Sequence, residues 1–296
     1  MTRRLSRKQI LLIGAAIWLG GAVLIHLIAG SAGRNDEFQP TEEFRLEEWL
    51  PLGFNRAVLY LILASLLTGL TMWWIARKMT QRPNRVQTAV ETIFLFMRDN
   101  IAGANLDRDM ARKWFPFVAT LFLFIWFNNL LGYIPLPVND HEKLSIGGLE
   151  IPSFAIYAAT ANISIPLALT LMVWITYHVV GVVRQGPAKY LASWVPAGVT
   201  GPAKFPIFLI EVISHFVRII SLSVRLFANI LAGHLLILFM AGGLGVILGL
   251  AALGWFTLPM AILFFLFEVG LVATLQAFIF ATLTAIYLGG AVAAEH

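Results

Sequence analysis

Apolar residues run along this chain in blocks of about membrane-span length, separated by short polar stretches. A helix needs about 20 apolar residues to cross a ~30 Å hydrocarbon core. Ile10 to Ala29 is the first such block, with His26 its sole titratable group. Ala57 to Ala76, Trp114 to Pro135 and Phe154 to Val183 hold three more spans. The last third holds two longer runs, Pro206 to Met240 and Leu258 to Leu288. As unbroken helices they would measure about 52 Å and 46 Å at 1.5 Å per residue, so each must tilt strongly or break. Gly242, Gly243, Gly245 and Gly249 lie between them and suit a turn. The expectation is an antiparallel pair of long, steeply tilted helices. Between the second and third spans, Val86, Val90, Ile93, Phe94, Met97 and Ile101 recur at helical spacing. That stripe predicts an amphipathic helix on the membrane surface or against a partner helix.

Composition agrees with this pattern. Of 296 residues, 59% are hydrophobic and 12% charged, against roughly 25% charged in soluble domains. One soluble core cannot bury so much apolar side chain, and disordered chains are poor in it. The fold class is therefore all-α and polytopic in the membrane, with about five to six membrane helices and a cytoplasmic amphipathic helix. Cysteine is absent, which excludes disulfides and thiolate metal sites; no metal site or cofactor is expected. Four segments follow: 1–56, an N-terminal helix and external segment; 57–113, a span and the amphipathic helix; 114–183, a central hairpin; 184–296, the long helical pair.

The net charge of +5 invites a nucleic-acid reading, but its distribution fits the positive-inside bias of membrane proteins better. Arg3, Arg4, Arg7 and Lys8 precede the first run. Gly30 to Arg56 carries six acids against three arginines and reads as external; Arg77 to Lys113, with eight basic residues, reads as cytoplasmic. Leu136 to Ser153 holds Lys143 against Asp140, Glu142 and Glu150, hence external; Arg184, Lys189 and Lys204 mark the next loop as cytoplasmic. This places the chain in the cell (inner) membrane with both termini cytoplasmic if the first helix is retained. A retained signal-anchor suits its length; cleavage near Gly30, Ser31 and Ala32 is the alternative.

Charge inside a span is costly and marks function by default. Beyond Lys204 the basic side chains are Arg218 and Arg225, and the acids before Glu295 are Glu211 and Glu268. On a helical wheel His215, Arg218, Arg225 and Asn229 all fall within about 40° of Glu211, forming one polar stripe. Ser221 borders it and His234 lies nearly opposite. Arg225 sits among Leu222, Val224, Leu226 and Phe227. A guanidinium stays charged, so it cannot relay protons and needs an anion or water. Two readings stand: an ion pair within the chain, or a carboxylate arriving from another subunit. Glu211 lies about 21 Å away along the helix, so Arg218 is the nearer partner for Glu211. His234 and Glu268 can titrate. Asn128, Asn129, Asn162, Ser164, Asn229 and Gln276 can together line a hydrated path, although singly such groups more often join helices. His26 and His178 read as interfacial.

Ser223-Val224-Arg225-Leu226-Phe227-Ala228-Asn229, running on to Gly233 and His234, resembles the a subunit of F-type ATP synthases. Leu275-Gln276-Ala277-Phe278-Ile279-Phe280 through Tyr287 is similar to that family's last helix, and Arg85 to Glu91 to its cytoplasmic amphipathic helix. Asn128 to Pro135 and Thr160 to Ser164 resemble the ends of its central hairpin. The resemblance covers roughly Leu46 to the C-terminus. It implies a non-catalytic, proton-translocating stator beside a rotating c-subunit ring, giving that ring two offset half-channels. Implied partners are the c-ring, peripheral-stalk b subunits, indirectly the F1 head, and lipid, with no nucleic acid. Arg225 takes the place of the arginine that faces the ring carboxylate. Asn229, His234, Glu268, Gln276, Asn129 and Asn162 fall near the external half-channel; Glu211, Ser214 and Ser221 fall near the cytoplasmic one. A stand-alone ion-coupled transporter is the alternative. The chain departs from the family pattern at Gly132 and Asn162, where acids are frequent, in placing His before Glu, in the extra first span, and in the eight-residue step from Glu268 to Gln276, where seven is usual.

Overall fold

The computed structural model describes residues 6–29, 55–78, 84–137, 143–146, 149–152, 154–196, 198–243 and 251–292. Most of the acidic segment after the first helix, the small-residue stretch at Gly30 to Ala32, the turn glycines Gly245 and Gly249, Glu295, and the side chains of His26 and of the Leu136 to Ser153 loop charges lie outside the described residues.

The helices are α1 (Arg7–Ala29), α2 (Arg56–Lys78), α3 (Arg85–Phe96), the single turn α4 (Gly103–Asn105), α5 (Arg108–Leu131), α6 (Ser164–Gln185), α7 (Pro187–Ala192), α8 (Lys204–Leu238), α9 (Ala251–Phe267) and α10 (Ala273–Val292). Wider π turns occupy Met97–Ala102, Phe239–Gly243 and Glu268–Val272. Among the described residues five stretches are long and apolar enough to cross a membrane: Arg56–Arg77, Arg108–Leu131, Ser164–Gln185, Gly201–Ala241 and Leu253–Val292. Every one of these is a helix, and the chain is an α-helical, multi-pass membrane protein, as its hydropathy indicates.

One boundary differs clearly from the sequence expectation. The fourth span begins at Ser164, not Phe154. Phe154–Ala155 instead pairs as an antiparallel strand with Leu136–Pro137, and Lys143–Ile146 pairs with Leu149–Pro152 inside the same loop. Hydropathy alone reads the apolar residues of such a ribbon as more helix. The two long runs also differ from each other. α8 is unbroken over 35 residues, about 52 Å. The second carries the π turn Glu268–Val272. A π turn takes up one extra residue in a helix. The eight-residue step from Glu268 to Gln276 therefore keeps nearly the helical phase of a seven-residue one.

Local chemistry fixes several ends. Asn84 caps α3, its side-chain oxygen accepting from the Gln87 amide at 2.8 Å. Between α6 and α7, Gly186 has φ +82°, a left-handed conformation that glycine adopts without a Cβ penalty, and Pro187 then starts α7.

The described chain divides into two compact units. In the larger, residues 46–231 with 269–296, α10 packs against α5 and α6. Its buried face is Ala273, Gln276, Ala277, Phe280, Ala281, Thr284, Ala285, Leu288 and Ala291. Such small residues let membrane helices approach closely, because lipid offers no hydrophobic drive to associate. In the smaller unit, residues 1–45 with 232–268, α1 packs along α9. Trp18 and Trp255 stack with ring centroids 4.5 Å apart, and the Trp255 indole donates to the Trp18 carbonyl at 2.9 Å.

Candidate functional site

The polar stripe of α8 splits into two environments. Glu211, His215 and Arg218 are covered by α6, the segment after α7, and α10. Ser221, Arg225 and Asn229, further along, are exposed. Beside them on the helical wheel stand the exposed apolar residues Val217 and Val224.

In the covered part, Arg218 Nη2 donates to Glu211 Oε1 at 3.1 Å, the pairing that proximity favoured. His215, 5% exposed, faces Glu211 Oε1 with Nε2 at 3.6 Å. Its Nδ1 lies 3.0 Å from the Tyr177 hydroxyl and 3.5 Å from Arg218 Nη1. Arginine only donates, so Nδ1 accepts and the hydrogen sits on Nε2, toward the carboxylate. The Arg218 guanidinium lies 5.2 Å from the Tyr287 ring centroid, a cation–π distance. Glu211, His215 and Arg218, with Tyr177, Tyr190 and Tyr287, line a cavity of about 340 Å³.

His178 is the residue that sequence reasoning missed. Its Nδ1 lies 2.7 Å from the Tyr190 hydroxyl, and its ring is 4.7 Å from that of His215. The Tyr190 ring rests on Gly181, where any Cβ would strike it. Burial pushes the Tyr190 hydroxyl up from its ordinary value, with Trp194 and the Arg218 charge opposing, so it stays protonated at neutral pH. His178, on the fourth span, looked interfacial because nothing in a linear pattern brings α7 back over it.

Arg225 makes no hydrogen bond or ion pair among the described residues, so the structure gives it no intrachain partner there. Leu222, Ser223, Leu226 and Ile230 form the opposite, buried side of this stretch. Ser214 is half-buried and Ser221 exposed; neither lines the cavity with Glu211.

The remaining expected residues fall in two groups. In the larger unit, Asn129 is fully buried. It donates to the Ala273 carbonyl at 3.3 Å and accepts from the Thr160 hydroxyl at 2.9 Å. Asn128 donates to the Phe124 carbonyl at 3.0 Å. Asn162 Oδ1 accepts from the Ser164 amide at 3.1 Å at the start of α6, and Gln276 is buried on α10. Gly132, where an acid is frequent, packs against Ala158 so closely that a side chain has no room. In the smaller unit, His234 and Glu268 are both buried. The Glu268 carboxyl lies over Gly233, where an added Cβ would meet it. Among the described residues no three His, Asp or Glu side chains gather to hold a metal ion.

A bundle of membrane helices with paired ions in one covered cavity and an exposed arginine on the same long helix defines a membrane protein built around charge inside the bilayer. The chain belongs to the ATP synthase A chain family, which residues 58–289 match. It is 36% identical over 247 residues to ATP synthase subunit a of Rubrobacter xylanophilus, covering 83% of this chain and 86% of that one. To the subunit a of Parvibaculum lavamentivorans it is 31% identical over 278 residues, with 90% and 98% covered. To that of Bradyrhizobium diazoefficiens it is 32% identical over 272 residues, with 88% and 100% covered. These similarities leave the stand-alone transporter without support.

Proposed function

We propose that this chain is the proton-translocating stator subunit of an F-type ATP synthase membrane sector, lying beside a ring of c subunits. The carrying observation is Arg225: a fixed cation, exposed on α8 between the uncharged Ser221 and Asn229, without a partner among the described residues. A charge in that setting calls for an anion supplied from outside the chain. A ring carboxylate meets the requirement. Beside Arg225 it is favoured as the carboxylate, and because the guanidinium does not deprotonate no proton passes directly between the two half-channels.

On this reading a proton enters from the external side by way of Asn129, Asn162, Asn229, His234, Glu268 and Gln276, and neutralises a ring carboxylate. After the ring turns, the proton leaves toward the cytoplasm past Ser221, Ser214 and Glu211, through the cavity that Glu211 lines. Each proton supplies about 2.3 kcal/mol per 100 mV, so rotation must add several of them per ATP. The subunit itself is non-catalytic toward ATP. Its partners are the c-ring, the peripheral-stalk b subunits, lipid and, indirectly, the F1 head. It sits in the cell (inner) membrane, with both termini cytoplasmic if the first helix is retained. His234 with Glu268 favours a proton over sodium, since a sodium site prefers oxygen ligands.

The test is ATP-driven proton pumping in membranes carrying Arg225→Ala. Pumping falls to background while the complex assembles and its ATPase activity persists; full pumping would falsify the assignment.

A further inference from the structure

A second cavity, of about 680 Å³, opens where the amphipathic helix meets the first turns of α5. That volume is within the ~300–1,000 Å³ of small-ligand sites. Its charged rim is Arg98, Asp99, Arg108 and Arg112, and its apolar lining includes Leu106 and Phe115. Arg98 is committed to Asp99, through Nε to Oδ1 at 2.8 Å and Nη2 to Oδ2 at 3.2 Å. That contact holds the Asp99 carboxyl below its ordinary value. Arg108 and Arg112 have no ion pair or hydrogen bond among the described residues. They stand four residues apart, on one face of α5 and about 5–6 Å from each other at Cβ. Asp107 and Asp109 do not line the cavity.

Its level in the membrane is set by α5 itself. Arg108 and Arg112 immediately precede the apolar run of α5 that begins at Trp114, so the two guanidiniums lie at headgroup level, and Phe115 lies about two turns beyond Arg108 on the acyl-chain side. A planar guanidinium matches the oxygens of a phosphate, and basic pockets beside membrane helices take anionic headgroups. We propose that this cavity binds the phosphate headgroup of an anionic membrane phospholipid, held by Arg108 and Arg112 with its acyl chains against Leu106 and Phe115. Positive-inside topology accounts for the presence of arginines here. It does not account for two of them converging, unpartnered, on one cavity with an apolar floor. The site is distinct from Arg225 and from the cavity of Glu211, and it does not depend on which way protons move.

The experiment uses the intact ATP synthase complex, purified in mild detergent, with cardiolipin and phosphatidylglycerol as probes read by native mass spectrometry. The wild type retains bound anionic phospholipid, and Arg108→Ala/Arg112→Ala retains at least tenfold less at equal probe. Inorganic phosphate at millimolar concentration leaves the lipid in place. Equal retention by the variant overturns the proposal, and displacement by inorganic phosphate reassigns the site to a free anion. If the double variant fails to assemble, Leu106→p-benzoylphenylalanine keeps both arginines and is photolysed in the complex. A crosslink to phospholipid supports the site, and a crosslink to another protein subunit, or none to lipid, overturns it.

Discussion

The guanidinium of Arg218 donates to the carboxylate of Glu211 two turns back along α8, at 3.1 Å, with both side chains one-third exposed. Removing one partner leaves the other charge uncompensated, which costs more than losing both. Arg218→Gln is therefore expected to destabilise the assembled complex by about 1–3 kcal/mol, and Arg218→Gln/Glu211→Gln by less than the sum of the single changes. A double-mutant cycle on thermal unfolding measures the difference. Strict additivity would show that the pair is incidental.

Glu268 and Gly233 give a steric prediction. Gly233→Ala places a methyl group where the Glu268 carboxyl lies, and overpacking of this kind costs about 1–3 kcal/mol. Proton-driven ATP synthesis is expected to drop at least tenfold if Glu268 lies on the proton path. Gly69→Ala is the control, since nothing lies within 4 Å of a Cβ there. It should leave activity unchanged. Equal effects at both positions would remove the contact as a cause.

Tyr157 precedes α6, outside the spans, and is 1% exposed. Burial pushes its hydroxyl up to about 12, the Arg56 charge opposing and Tyr60 adding. A raised value means that the folded state holds the proton more tightly. The contribution is thus complete below about pH 10 and lost as pH rises through about 12. The loss is on the order of 2–3 kcal/mol. Melting temperatures between pH 8 and 11.5 should fall more steeply for the wild type than for Tyr157→Phe; parallel curves would refute this.

Trp18 and Trp255 hold α1 to α9 through a stack and one indole hydrogen bond. Indole packing of this kind is worth about 0.5–1.5 kcal/mol beyond area. Trp18→Ala should accordingly leave the core of the larger unit intact while speeding proteolysis around the first helix. An unchanged digestion rate would mean that the stack contributes nothing to docking.

Much of this molecule is legible along its sequence. Span positions follow from hydropathy, since a ~30 Å core imposes one length on every crossing helix. Glu211, Arg218, Arg225 and Glu268 stand out because so little else in the last third is ionisable. The pairing of Arg218 with Glu211 follows from spacing alone. The ribbon between α5 and α6 is not legible, because strand alternation in a short apolar loop merges with the hydropathy of the next span. Nor is the π turn at Glu268, since no residue type requires it.

What the sequence determined by itself is that this is a helical membrane protein of the ATP synthase A chain family, with a charged stripe on its longest helix. What only tertiary structure decided is that Arg218 and Arg225, within about 20° of each other on the wheel, differ in kind. Tyr177, Trp194 and Tyr287 close around the first, while among the described residues the second meets no polar partner. A helical wheel gives the direction of a side chain. Its neighbours come from distant segments, and they determine whether a charge inside a membrane span is already paired or still calls for an anion.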